Sequence, residues 1–296
     1  MSHDSVTSQF VVQFPHPGCE HNPGVAQRQS WNTESHCRKF LQSYGRYVGD
    51  DGALCDSDLV FWGEWEAPSY IVNRWDPQDS LPRFLHRPVW ERLKATGRRL
   101  NTDPWIFGHC FRYSNCRQLT PRHNRAALQF LTPGSLILFG STIASQFVID
   151  TVFVVKDSCR FSPGEPPESD EAFRVCTVES LLTTGNDNDS FTLYWGATYQ
   201  DRDCFNGMYS FVPCRRADAD DMRFARPSIS IGDYVNPKSW RAARLTPCSP
   251  ADARRQWENV RRQVLGAGCL LGVWFATPEL DRDSTAGASL EISQAR

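Results

Sequence analysis

The chain has 296 residues, 40% of them hydrophobic and 12% aromatic, enough to bury a substantial core as one large domain or two modest ones. Its net charge of −2 excludes the global basic field that advertises a nucleic-acid binder, while leaving room for a local basic groove. No stretch approaches the roughly 20 apolar residues of a membrane span, and the N-terminal MSHDSVTSQF has neither a basic nor an apolar leader segment, so no membrane partner and a cytoplasmic location are expected.

Two compositional biases stand out. Lysine occurs only at Lys39, Lys94, Lys156 and Lys238, and arginine supplies the other basic residues. Either a GC-rich bacterial genome or bidentate contact with phosphates and carboxylates accounts for that. The 11 cysteines, on a chain with no secretory leader and no C-x-x-C, read as reduced and mostly buried thiols; Cys110 and Cys116 are too far apart for a familiar ligand spacing.

In chain order, SQFVVQF predicts a strand ending at Pro15, followed by a Pro-, Asn- and Gly-rich loop to about Asn32. The next segment, WNTESHCRKFLQSYGRYV, predicts a helix from about Ser35, capped by Thr33 or Ser35 and ended by Gly49 and Gly52. Its basis is the i, i+4, i+7 spacing of Phe40, Tyr44 and Tyr47. Strands are expected at 58–66 and 103–114, and at 135–140 and 146–155, the last two forming an antiparallel hairpin. SPGEPPESDEA, after Cys159, reads as a surface loop and the best internal boundary. Further strands are expected in SFTLYWGATY, GMYSFVPC and CLLGVWFATPE. One clear helix begins at the Ser249 cap and Pro250, buries Ala253, Trp257, Val260 and Val264, and stops at Gly266 or Gly268. The expected division is 1–160 as the site-bearing region, 161–280 as an α+β elaboration or second domain, and 281–296 as a disordered tail.

The candidate chemistry lies early, because all seven histidines fall within the first 123 residues. In QFPHPGCEHNPG, Pro15 and Pro17 hold His16 in extended backbone, so the segment fails the helical two-histidine motifs of metallopeptidases. A loop can still present His16, Glu20 and His21 to one point, with Cys19 as a soft donor and His36 or His109 as a further ligand or acid–base group. A divalent metal is the cofactor such a loop would hold, and a stiff structural loop is the competing reading. Trp31, Asn32, His36, Arg38 and Lys39 cluster at the expected helix start, where an anion would be favoured. In FWGEWE, period-two alternation puts Trp62 with Glu64 and Glu66, opposite Phe61, Gly63 and Trp65. The first face suits a flat polar ligand, or is a solvated edge. Trp105, Phe107, His109, Phe111 and Tyr113 form one stripe, opposite Gly108, Cys110 and Arg112, with Asn101 and Asp103 at the strand mouth.

PGSLILFGSTIASQFVIDTVFVV, from Pro133 to Val155, resembles the central hairpin of PUA-like domains of the EVE and ASCH groups: Gly134, Ser135, Ile137 and Phe139 match the first strand, Asp150, Val152, Val154 and Val155 the second. The resemblance covers about 23 residues. It implies a small β-barrel holding a nucleobase, often a modified one, in an aromatic pocket, and several bacterial members look like parts of DNA-modification or phage-defence systems. The combined expectation is an α+β fold: a mostly antiparallel, barrel-like, PUA-like sheet with few helices and a C-terminal α+β elaboration. Its function would be to bind a nucleotide or modified nucleobase in nucleic acid. Bases would stack on Trp62 or Trp105, Glu64 would bond a base edge, and Arg38, Lys39 and Arg112 would meet phosphates. The alternatives are a metal-dependent or His-based hydrolase or nuclease built on His16, Glu20 and His21, and an interaction module whose aromatics are all core.

Overall fold

Strands that bury both faces organise this molecule. The computed structural model describes residues 8–23, 37–92, 100–167, 169–179, 181, 189–239 and 242–281. They form an α+β structure dominated by two seven-stranded mixed sheets. The first runs β12 (Arg244–Cys248), β1 (Gln9–Pro15), β7 (Leu136–Ile143), β8 (Gln146–Phe161), β9 (Phe191–Gly196), β6 (Arg112–Tyr113), with β11 (Ser228–Ile229) on β8. The second runs β13 (Leu270–Phe275), β10 (Val212–Arg216), β3 (Leu54–Glu64), β2 (Arg38–Val48), β5 (Phe84–Trp90), β14 (Glu279–Leu280), with β4 (Ser69–Arg74) on β5. Because β13 also pairs with β2, the strands β2, β3, β10 and β13 pair in a closed circuit. Most pairings are antiparallel; β1–β7, β2–β5 and β5–β14 are parallel.

Alternation along each strand feeds two separate cores. Val12, Phe14, Leu41, Leu59, Phe61, Ile137 and Phe139 enter one apolar cluster with Trp65, Trp105 and Phe107. Their neighbours Val11, Phe40, Val60, Trp62, Leu136 and Leu138 enter the other, which is completed by Trp257, Val260 and Val264. Those last three come from α2 (Pro250–Gly266), which follows the short helix α1 (Glu171–Phe173). As expected, the Ser249 side chain caps α2 by accepting from the Asp252 N–H, and Gly268 takes the left-handed conformation that stops it. The Trp257 indole N–H donates to the Tyr209 carbonyl at 2.9 Å, which ties the helix to the segment leading into β10.

Two expectations are corrected. The helix from Ser35 is instead strand β2 over Arg38–Val48; its first residues lie outside those described. A helical stripe would have buried Tyr44, which is 50% exposed, whereas Phe40 and Leu41 are both buried, on opposite faces. Pairing with β3 along all eleven residues overrides the local spacing. Gly45 is part of the reason, since a Cβ there would sit 2.5 Å from the Trp274 carbonyl of β13. Glycines 49 and 52 end β2 in a hairpin turn rather than a helix cap.

The strand expected over 103–114 survives only as β6 and an isolated Trp105–Arg112 bridge. Gly108, at φ +80°, folds the segment back on itself; Trp105, Phe107, Phe111 and Tyr113 are buried and His109 is exposed. Strands from both sides of residue 160 pair within each sheet, and β8 runs through that position. Of the tail expected over 281–296, residues 282–296 lie outside those described.

Candidate ligand-binding cleft

The FPHPGCEH segment leaves β1 and runs beside the start of β2. The His16 N–H donates to the Gly140 carbonyl, the Arg38 N–H to the Cys19 carbonyl and the His21 N–H to the Arg38 carbonyl. Backbone bonding therefore holds this loop as a short parallel extension of the sheet, with a Glu20–Arg38 bridge. The prolines keep it extended, so neighbouring side chains point to different places.

His16 goes inward. Its ring packs against Phe14 and Phe139, with Nδ1 3.5 Å from Glu64 Oε2 and Nε2 3.6 Å from Cys116 Sγ. Burial pushes the Cys116 thiol up, so a neutral sulfur faces the imidazole. Glu20 accepts from the backbone N–H groups of Arg83 and Phe84 and from Arg83 Nε at 3.0 Å. His21 lies with its ring 5.7 Å from that of His86. The three side chains expected to converge thus serve three different neighbourhoods. Among the described residues, no three His, Cys, Asp or Glu side chains meet as a metal-sized cluster.

What does converge is a buried chain of charges. Arg38, 1% exposed, places Nη1 3.2 Å from Glu64 Oε2 and Nε 3.0 Å from Asp150 Oδ2. Asp150 in turn lies 3.5 Å from Arg226 Nη1. Arg226 also donates to Ser141 Oγ at 2.9 Å and to the Gly18 carbonyl. Burial works against both guanidinium charges: in Arg38 the carboxylates Glu64 and Asp150 outweigh it and raise its proton affinity, whereas in Arg226 burial prevails and lowers it. The local reason for this geometry is a bulge in the β7–β8 hairpin. Phe139 faces Thr151 and Gly140 faces Ile149, so Asp150 is the extra residue, turned toward the arginines. Gly140 permits this: a Cβ there would lie 2.1 Å from the Val148 carbonyl.

Arg226 lies on the wall of a cleft of about 440 Å³, with its guanidinium carbon 5.1 Å from the Trp62 ring centre. Trp62, Glu20 and Arg83 line the same cleft, as do Ile143, Gln146 and Val148 of the β7–β8 hairpin. The indole N–H of Trp62 is bonded to the Phe224 carbonyl and its ring packs on Phe40. The indole thus backs Arg226 instead of offering a bare face for stacking.

The other expected residues take structural duties. Trp105 is wholly buried among Trp65, Phe107 and Phe173, so no base stacks on it. Arg112 pairs with Asp170 at 2.6 Å and covers the Phe173 ring. Glu64 is buried on Arg38 rather than open to a base edge. His109 is exposed on its loop. Asp103, expected at a ligand mouth, is fully buried and accepts the backbone N–H groups of Ser114, Asn115 and Cys116. Trp31, Asn32 and His36 lie outside the described residues.

Lys39 donates to the Ala67 carbonyl at 3.2 Å and to Ser69 Oγ at 3.1 Å, and Ser69 Oγ lies 3.1 Å from His86 Nδ1. Burial, then the Lys39 and His21 charges, hold the His86 imidazole down to about 3 from 6.5. Between those values the unfolded chain takes up a proton that the native state refuses, so this group's stabilisation is complete above pH 6.5 and fades as pH falls toward 3. A His86→Gln variant is therefore expected to show a shallower fall of Tm on acidification than the wild type. Equal slopes below pH 6.5 would refute the assignment.

Sequence reasoning missed Arg226, which sits in no motif. Asp150 carried a usable signal: a lone acid inside the apolar run FVIDTVFVV demands a buried cationic partner. Comparison of the chain with family models, with curated proteins and with solved structures finds no match.

Proposed function

We propose that this protein binds a nucleotide or modified nucleobase of a nucleic acid in the cleft between Trp62 and the β7–β8 turn. The observation that carries the reading is the Arg226 guanidinium, anchored by Asp150 and laid over the Trp62 indole on the wall of a cleft of about 440 Å³. A planar, permanently charged fork backed by an aromatic ring suits a flat ring with acceptor edges or a phosphate. The cleft is the size of a small-molecule site. Gln78, Ser80, Gln146 and Ser228 on its rim supply neutral groups for bonding a base edge. The hairpin that resembles PUA-like domains contributes Ile143, Gln146 and Val148 to its lining, and that resemblance implies a nucleobase pocket. A PUA-like relation of the sheets and a cytoplasmic setting belong to the same proposal.

The hydrolase alternative draws no support from this geometry, since His16, Glu20 and His21 face separate partners.

The test is fluorescence anisotropy with labelled oligonucleotides carrying plain and modified bases, run on the wild type, Arg226→Lys and Trp62→Leu. Arg226→Lys keeps the charge and loses the planar fork, so affinity is expected to fall about tenfold to a hundredfold, equivalent to about 1.4–2.8 kcal/mol. One modification should bind at least about tenfold tighter than its plain counterpart. Affinities indifferent to the base and to both substitutions would overturn the reading, as would cleavage or conversion of the oligonucleotide.

A further inference from the structure

Cys19 and Cys37 place their sulfurs 3.3 Å apart, at the rim of the cleft, and both are reduced in this structure. They are 18 residues apart in sequence, yet the Arg38 N–H bond to the Cys19 carbonyl fixes their two segments side by side. Cys19 is exposed, and its neighbours Gly18 and Glu20 both line the cleft. Gly18 also accepts from Arg226. We propose that Cys19 and Cys37 form a thiol–disulfide exchange site that reacts with low-molecular-weight disulfides and closes into a reversible cross-link beside the cleft. This inference is independent of what the cleft binds.

Three features select this pair from the chain's 11 cysteines. The sulfurs are already in contact, so closing the bond takes a rotation of side chains and no movement of elements. Cys19 is open to a soluble reagent, whereas Cys176, Cys214 and Cys269 are buried. The Cys19 thiol is held down to about 6, chiefly by the Cys37 thiol donating to it, against the opposing effect of burial and with help from Arg38 and Arg226.

The exchange balances as follows. The Cys19 thiolate attacks one sulfur of a disulfide RSSR, forming Cys19–S–SR and releasing RS⁻. Cys37 then gives up its proton and attacks the Cys19 sulfur, forming the Cys19–Cys37 bond and releasing the second thiolate, which takes up that proton as RSH. The two cysteines lose two electrons and RSSR gains them.

The experiment treats the full-length protein with oxidised glutathione, blocks remaining thiols and maps tryptic peptides without reduction; Arg28 lies between the two cysteines, so cleavage there keeps a cross-link visible as two joined peptides. The Cys19–Cys37 joined peptide is expected to be the dominant oxidised species. With Cys37→Ser, the glutathione adduct on Cys19 should rise at least about tenfold because the resolving thiol is gone. With Cys19→Ser, Cys37 should stay reduced. A wild-type protein that keeps glutathione on Cys19 without forming the cross-link overturns the proposal. So does one in which Cys19 is modified no faster than the buried cysteines.

Discussion

Replacing Arg38 with methionine is expected to lower the free energy of unfolding by about 3–5 kcal/mol, read as a fall in the urea midpoint at unchanged slope. Arg38 is 1% exposed and is the cation between Glu64 and Asp150. Methionine fills much of the same volume but leaves Glu64 buried without its guanidinium partner and leaves Asp150 to Arg226 alone. An uncompensated carboxylate in that setting costs far more than the pair contributes when intact. Adding Glu64→Gln to the methionine variant removes the stranded charge, so part of the loss should return, a coupling that a double-mutant cycle measures. If the single variant loses less than about 1 kcal/mol, the charge chain is a surface-like pair and its role in presenting Arg226 collapses with it.

A second large loss is expected from Asp103→Ala, about 3 kcal/mol near neutral pH. The Asp103 carboxylate accepts three backbone N–H groups, from Ser114 at 3.0 Å, Asn115 at 2.9 Å and Cys116 at 2.7 Å. These donors lie in a turn among buried residues, so removing their acceptor strands all three. Burial nevertheless pushes the Asp103 carboxyl up to about 6 from 3.8, against the pull of those three donors. A native state that holds this proton more tightly than the unfolded chain is most favoured at low pH. The contribution is complete below 3.8 and declines as pH rises through about 6. The gap between wild type and Asp103→Ala should therefore narrow from pH 5 to pH 8, in calorimetry of both proteins at matched ionic strength. A gap that widens over that range would show the donors outweighing burial.

How far the chain could be read depended on whether local pattern and tertiary context agreed. The β7–β8 hairpin, the β9 and β13 strands and α2 with its Ser249 cap were legible, because each is specified by its own residues: alternation, a short turn, a cap, a stripe. The 38–48 segment was not. Its three aromatics fit helical spacing as well as they fit a strand, and β3, β5 and β13 made the choice by pairing with it. Similarly, apolar alternation over 103–114 picked out four aromatics that are buried, but it also placed the exposed His109 with them and left out the buried Ile106 and Arg112, because the backbone there is folded back at Gly108 and hardly paired.

The candidate site divides the same way. The 13–24 loop was singled out for its clustered polar residues between prolines, Arg38 for an expected helix start, and Trp62 with Glu64 for a shared strand face. In the structure His16, Glu64 and Arg38 join the buried charge chain, and Glu20 and Trp62 line the cleft. Which residues line the cleft was decided elsewhere in the chain. Arg226 comes from 164 positions beyond Trp62 without a local signature, and Asp150, though flagged by its apolar run, is turned inward by a one-residue bulge that the run does not announce. Pattern along a chain sets which faces are buried, since burial follows the period of the backbone. The meeting of distant side chains is set by strand order and register, which arise from the whole chain packing at once.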